Sequence, residues 1–121
     1  MGRPARGGGP AVLRTALLVL LAERESHGYD LASRLAELGL APDTAALYRM
    51  LRSMDHRGEL CSAWDASSHG PARRVYALTD EGRGRLQRAL DGIEAHSLTI
   101  DRLLRRSRRR AGSRAATAAE R

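Results

Sequence analysis

The stretch from Tyr48 to Gly82 constrains this chain most, because two periodicities and two stop signals follow one another without a gap. Leu47, Leu51 and Met54 recur at helical spacing, and Arg49 and Arg52 fall on the opposite side of the same turn of chain. Apolar residues three and four apart mark one buried helix face. Gly58 stands where a helix is expected to stop. Two short strand-like runs follow, Leu60–Trp64 and Arg73–Leu78, and between them Asp65 to Ala72 is rich in turn formers. Thr79 with Asp80 and Glu81 then reads as the capped, acidic first turn of another helix.

What precedes this stretch completes a helical frame. An almost all-round apolar helix is expected from Val12 to about Arg24, and such a helix needs covering on more than one side. Ser26-His27-Gly28 interrupts it, and a second helix is expected from about Tyr29 to Leu38, ended by Gly39. The third helix opens at Pro42-Asp43-Thr44, with Asp43 as N-cap. Helices two and three form a helix-turn-helix whose last member is apolar inward and Arg/Tyr outward. The reading is a mainly α fold with a two-stranded β wing: a winged helix-turn-helix plus a long C-terminal dimerisation helix.

That last helix carries a heptad-like seam. Leu86, Ile93 and Ile100 repeat every seven residues, Ala89, His96 and Leu103 lie three further on, and Leu90 and Leu104 run alongside. A seam this long on a terminal helix calls for a partner, and a second copy is the simplest one. Leu86, Leu90, Ile93, His96, Ile100, Leu103 and Leu104 are therefore the expected dimerisation residues. The division is residues 1–10 a disordered basic arm, 11–79 the winged helix, 80–106 the dimerisation helix and 107–121 a basic disordered tail.

Charge supports this division. All 21 basic residues are arginine; the segment 105–121 holds seven of them with one acid, whereas 11–104 holds twelve against thirteen acids. Basic ends attract phosphates without regard to sequence. The single cysteine, Cys61, excludes an internal disulfide and suits a reducing cytoplasm. Arg3 and Arg6 precede the apolar run 16–22, but that run is short and ends in Glu23-Arg24-Glu25, so it reads as a buried helix and not as a leader or a membrane span. No metal-ligand spacing, phosphate loop or catalytic constellation appears, so neither an enzyme nor a cofactor is expected.

Taken in order, these pieces resemble the PadR family of winged-helix transcriptional regulators, in its short-chain form. The resemblance rests on Leu21-Ala22, His27-Gly28-Tyr29-Asp30-Leu31, Leu47-Tyr48-Arg49, Leu51, Gly58-Glu59-Leu60, Trp64, Arg73-Arg74-Val75-Tyr76 and Leu78-Thr79-Asp80-Glu81-Gly82. It covers about residues 12–104. It implies a homodimer on a partly palindromic operator, commonly a repressor of a neighbouring gene that is released by a small hydrophobic effector. Two features depart from many relatives: Val75 precedes Tyr76 where an aromatic pair is common, and the last helix has no aromatic residue to line a ligand sandwich.

The expected contacts to double-stranded DNA are Thr44, Ala45, Tyr48, Arg49 and Arg52 on the third helix and His69, Arg73 and Arg74 on the wing. A solvated helix face is the alternative for the first group, and pairing with an acid such as Asp65 for one of the wing arginines. Trp64, Tyr76 and Leu78 read as core or core edge, His27 as a ring bonded to its own turn, and His96 as partly buried. Two rival functions stay open: a winged-helix protein-interaction module without specific DNA binding, and nonspecific nucleic-acid binding through the arginine-rich end.

Overall fold

The computed structural model describes residues 9–66 and 70–119, with side chains as far as Arg114. Its elements run α1 (Gly9–Glu23), β1 (Ser26–His27), α2 (Gly28–Glu37), α3 (Thr44–His56), β2 (Leu60–Asp65), β3 (Arg73–Leu78) and α4 (Asp80–Ala119). The chain forms two units, one ending at Arg88 and the other beginning at Ala89.

Within the first unit, α1 buries Ala16, Leu17, Leu18, Leu20 and Leu21, the broad apolar surface its sequence demands. Against it pack Leu31 and Leu35 of α2, Leu47, Leu51 and Met54 of α3, Leu60 of β2 and Tyr76 of β3. With no Phe in the chain, this core is made mainly of leucine. Burial also raises the Tyr76 phenol above its ordinary range.

Helix α3 is delimited by local chemistry. The Asp43 carboxylate accepts the Ala46 N–H at 2.7 Å, satisfying one orphan donor of the first turn. At the other end Gly58 takes φ +77°, which lets its N–H reach the Asp55 carbonyl and that of Glu59 the Met54 carbonyl. That double closure is the Schellman arrangement.

The sheet is three-stranded in the order β1-β3-β2, all antiparallel. The expected hairpin of β2 and β3 is present, and a third strand joins it: Ser26 pairs with Tyr76 and His27 with Val75, so the helix-breaking segment also supplies an edge strand. Two residues are too few to show an alternation. Nor does His27 bond its own turn. Its Nε2 lies 3.3 Å from Asp65 Oδ2, across the sheet.

Two polar networks, invisible to periodicity, tie the elements together. Arg34 of α2 is buried and donates to Ser26 Oγ, the Leu20 carbonyl and Glu23 Oε1 at 2.7, 2.8 and 2.7 Å. Beside it, the Arg24 guanidinium and the Ser26 hydroxyl hold the Asp30 carboxyl below its usual range. Arg14 of α1 grips the buried Glu59 with two hydrogen bonds, from Nε at 3.0 Å and from Nη2.

The start of α4 is docked by backbone contact. Thr79 Oγ1 accepts the Gly82 N–H at 3.0 Å, and the Thr79 N–H donates to the Glu59 carbonyl at 3.2 Å. A Cβ on Gly82 would overlap that same carbonyl oxygen and crowd Leu78. Gly82→Ala is therefore expected to lower stability by about 1–3 kcal/mol, the usual range for overpacking, measured as a shift of the urea midpoint at unchanged slope. A midpoint equal to wild type would show that the docking is loose.

Helix α4 differs from expectation at its far end. It runs through the arginine cluster to Ala119 instead of ending near residue 106. At the other terminus, Gly9 and Pro10, expected in a disordered arm, begin α1; the rest of that arm lies outside the described residues. Proline is at home there because a first-turn residue needs no N–H. Among the described residues, no helix is long and apolar enough to cross a membrane.

Candidate nucleic-acid interface

Helix α3 presents its polar side as the pattern demands. Thr44, Ala45, Arg49 and Arg52 are exposed, while Leu47, Leu51 and Met54 point into the core. Among the described residues no carboxylate pairs with Arg49 or Arg52. Tyr48 lies between the two faces, half-buried against the core. Its ring packs over Gly28 so closely that a Cβ there would fall 2.7 Å from Tyr48 Cε1. A residue expected only as a DNA contact therefore also seats α3 against the first residue of α2.

The wing arginines are ordered differently from one another. Arg74 donates to Ser62 Oγ at 2.8 Å, and Ser62 in turn donates to Asp55 Oδ2 at 3.0 Å. Its guanidinium also lies 4.8 Å from the centre of the Trp64 ring, within cation–π range. Arg73 is exposed and stands opposite Asp65 in the strand register. His69, the remaining wing candidate, lies outside the described residues.

Trp64 requires a correction. Expected at the core or its edge, it is 65% exposed. The β2 register sets it directly opposite Arg74, whose guanidinium lies over its ring. Leu78 and Tyr76 do pack with the core.

A groove of about 550 Å³ joins several of these side chains: His27, Gly28, Tyr48, Trp64, Arg73, Arg74 and Tyr76 border it, together with Tyr29 and Ala72. Two arginines, three phenols and an indole, with no carboxylate among the described residues of the wall, suit a phosphodiester backbone. Tyr29, 79% exposed, was missed from sequence because it reads as the first residue of a helix, with no face to assign it. Arg49 is not part of this groove. It borders a separate apolar hollow of about 430 Å³ with Pro10, Leu13, Leu40, Pro42 and Met50. Thr44, Ala45 and Arg52 line neither.

The second unit is helix alone. Leu90, Ile93, His96, Ile100, Leu103 and Leu104 are exposed within one copy of the chain. His96 shares this exposure with the rest of the seam. Leu86 belongs to the first unit and packs against its core. Cys61 is exposed on β2, its Sγ 3.8 Å from the Ala77 carbonyl. Among the described residues no cluster of His, Cys, Asp or Glu could hold a metal ion.

A family model described as the transcriptional regulator PadR-like family matches residues 17–88. Among solved structures, the chain is 32% identical to TM0937, a conserved protein of unknown function described as a potential transcriptional factor, over 90% of this chain and 96% of that one, with a TM-score of 0.73. A PadR-like regulator from Bacillus cereus is 29% identical, over 77% of this chain and 91% of that one, with a TM-score of 0.71. Bacillus subtilis PadR, solved in complex with operator DNA, is 29% identical over 65% of this chain and 46% of that one, with a TM-score of 0.60. Among curated proteins, none matches.

Proposed function

The chain belongs to the transcriptional regulator PadR-like family, and from that premise we propose that it binds duplex DNA in a sequence-specific way, as a homodimeric, ligand-responsive repressor. The observation that carries this is the face of α3, where Arg49 and Arg52 stand exposed without a carboxylate partner among the described residues. Arginine's planar fork matches the O6 and N7 acceptors of guanine in the major groove. Thr44 and Ala45 at the head of the helix would lie near the sugar-phosphate chain or a thymine methyl. Tyr48, Arg73 and Arg74 would hold the neighbouring phosphates, which sets register without reading bases.

Two copies joined along α4 would present two such helices to a partly palindromic operator. Support comes from the exposed apolar seam of Leu90, Ile93, Ile100, Leu103 and Leu104, with His96 on the same face. Half-sites one turn apart are ~34 Å from centre to centre. A small hydrophobic effector that changed the angle between the copies would break that match and release the DNA. The apolar hollow beside Arg49 has a volume in the range of small-molecule sites.

The test is selection of duplex fragments at physiological salt. Enrichment of one partly symmetric sequence is expected, with affinity falling steeply as salt rises through counterion release. Absence of any enriched sequence, or binding indifferent to salt, would overturn the reading.

A further inference from the structure

We propose that the end of α4, from Arg105 to Arg114, is a second duplex-DNA contact that grips phosphates flanking the operator and reads no bases. The proposal rests on the regulator reading above and adds a surface to it. Six arginines fall in these ten residues, at 105, 106, 108, 109, 110 and 114, and no acid does. All six are exposed on a continuous helix. Arg105 pairs with Asp101 at 3.0 Å, and among the described residues no carboxylate meets the other five.

Such a helix is electrostatically unfavourable by itself. Arg102 and Arg106, Arg105 and Arg109, Arg106 and Arg110, and Arg110 and Arg114 are like charges four residues apart, a spacing that destabilises an isolated helix. A polyanion laid against it removes that repulsion, so the partner should be strongly negative.

The composition narrows the partner further. From residue 105 to 119 there is no Leu, Ile, Val, Met or aromatic residue. A helix held in a bilayer interface needs an apolar face, and single-stranded nucleic acid is held by stacking on aromatic rings. Neither surface exists here. A second copy of the chain is also a poor occupant. The rest of α4, residues 80–104, carries five acids against four arginines, far too little to neutralise six cations, and the apolar seam stops at Leu104 just before they begin. A duplex, with a charge about every 1.7 Å of axis, supplies enough anions on any face of the helix.

The experiment compares the full-length chain with a variant in which all six arginines are glutamine, on an enriched operator duplex and on a random-sequence duplex across a salt series. The log affinity against log salt is expected to flatten by about 3–5 per subunit, since each phosphate contact contributes about 0.9. Affinity at low salt should fall by at least ~10²-fold on both duplexes alike, with the ratio between them unchanged. A six-lysine variant should restore the slope. An unchanged slope in the glutamine chain, with helix content equal by circular dichroism, would overturn the proposal. So would weaker dimerisation at unchanged slope, which would make the arginines a subunit contact, or tighter binding to anionic phospholipid vesicles than to either duplex. Failure of the regulator reading itself shows separately, as equal affinity of the wild-type chain for the two duplexes.

Discussion

Replacing Arg49 and Arg52 together by alanine is expected to weaken operator binding by about 2–6 kcal/mol, since a bidentate arginine–guanine contact contributes about 1–3 kcal/mol of discrimination. In Kd this is roughly 30-fold to 2 × 10⁴-fold. Both side chains lie on the exposed face of α3, and the core residues Leu47, Leu51 and Met54 are untouched. Alanine is also the best helix former, so thermal stability and oligomeric state should stay at wild-type values. Binding to random duplex should fall much less, because only two of many cationic groups are removed. The measurement is fluorescence anisotropy on matched operator and random duplexes. An operator affinity within twofold of wild type would place base reading elsewhere on the molecule.

The other large effect concerns folding. Arg14→Met removes both hydrogen bonds that Arg14 gives to Glu59, whose side chain is only 7% exposed. A carboxylate left buried without its partner costs about 3–5 kcal/mol, a large share of the 5–15 kcal/mol that holds a domain together. Adding Glu59→Met should recover most of the loss, since two apolar side chains of similar volume can replace a buried pair at little cost. Chemical denaturation of both single variants and the double variant closes the cycle. A loss under about 1 kcal/mol for Arg14→Met would mean that the pair behaves as an exposed surface bridge.

The same pair shows where sequence reading stops. Arg14 and Glu59 are 45 residues apart, and nothing in either neighbourhood marks them as partners. Arg34 is similar: one arginine on an amphipathic helix looks like surface until the Leu20 carbonyl, Ser26 and Glu23 are seen around it. Trp64 departs from expectation because aromatic residues in short strands usually face a core, whereas its ring lies exposed beside Arg74 of the adjacent strand. The exposed side of α3, by contrast, was legible in advance. Arg49 and Arg52 follow from helical spacing against Leu47, Leu51 and Met54, and both emerge exposed.

Order along the chain was enough to define whatever depends on near neighbours. Asp43 capping α3, Gly58 closing it and Thr79 opening α4 are decided within four or five residues, by hydrogen bonds that the local chain can make alone. Folding in three dimensions decided the third strand, the buried Arg14–Glu59 and Arg34 networks, and the groove that brings Tyr29, Tyr48, Trp64, Arg73 and Arg74 to one place. These depend on distant segments meeting, and on a charge or a ring finding its partner once water has been excluded. No periodicity in a single stretch of residues can encode that.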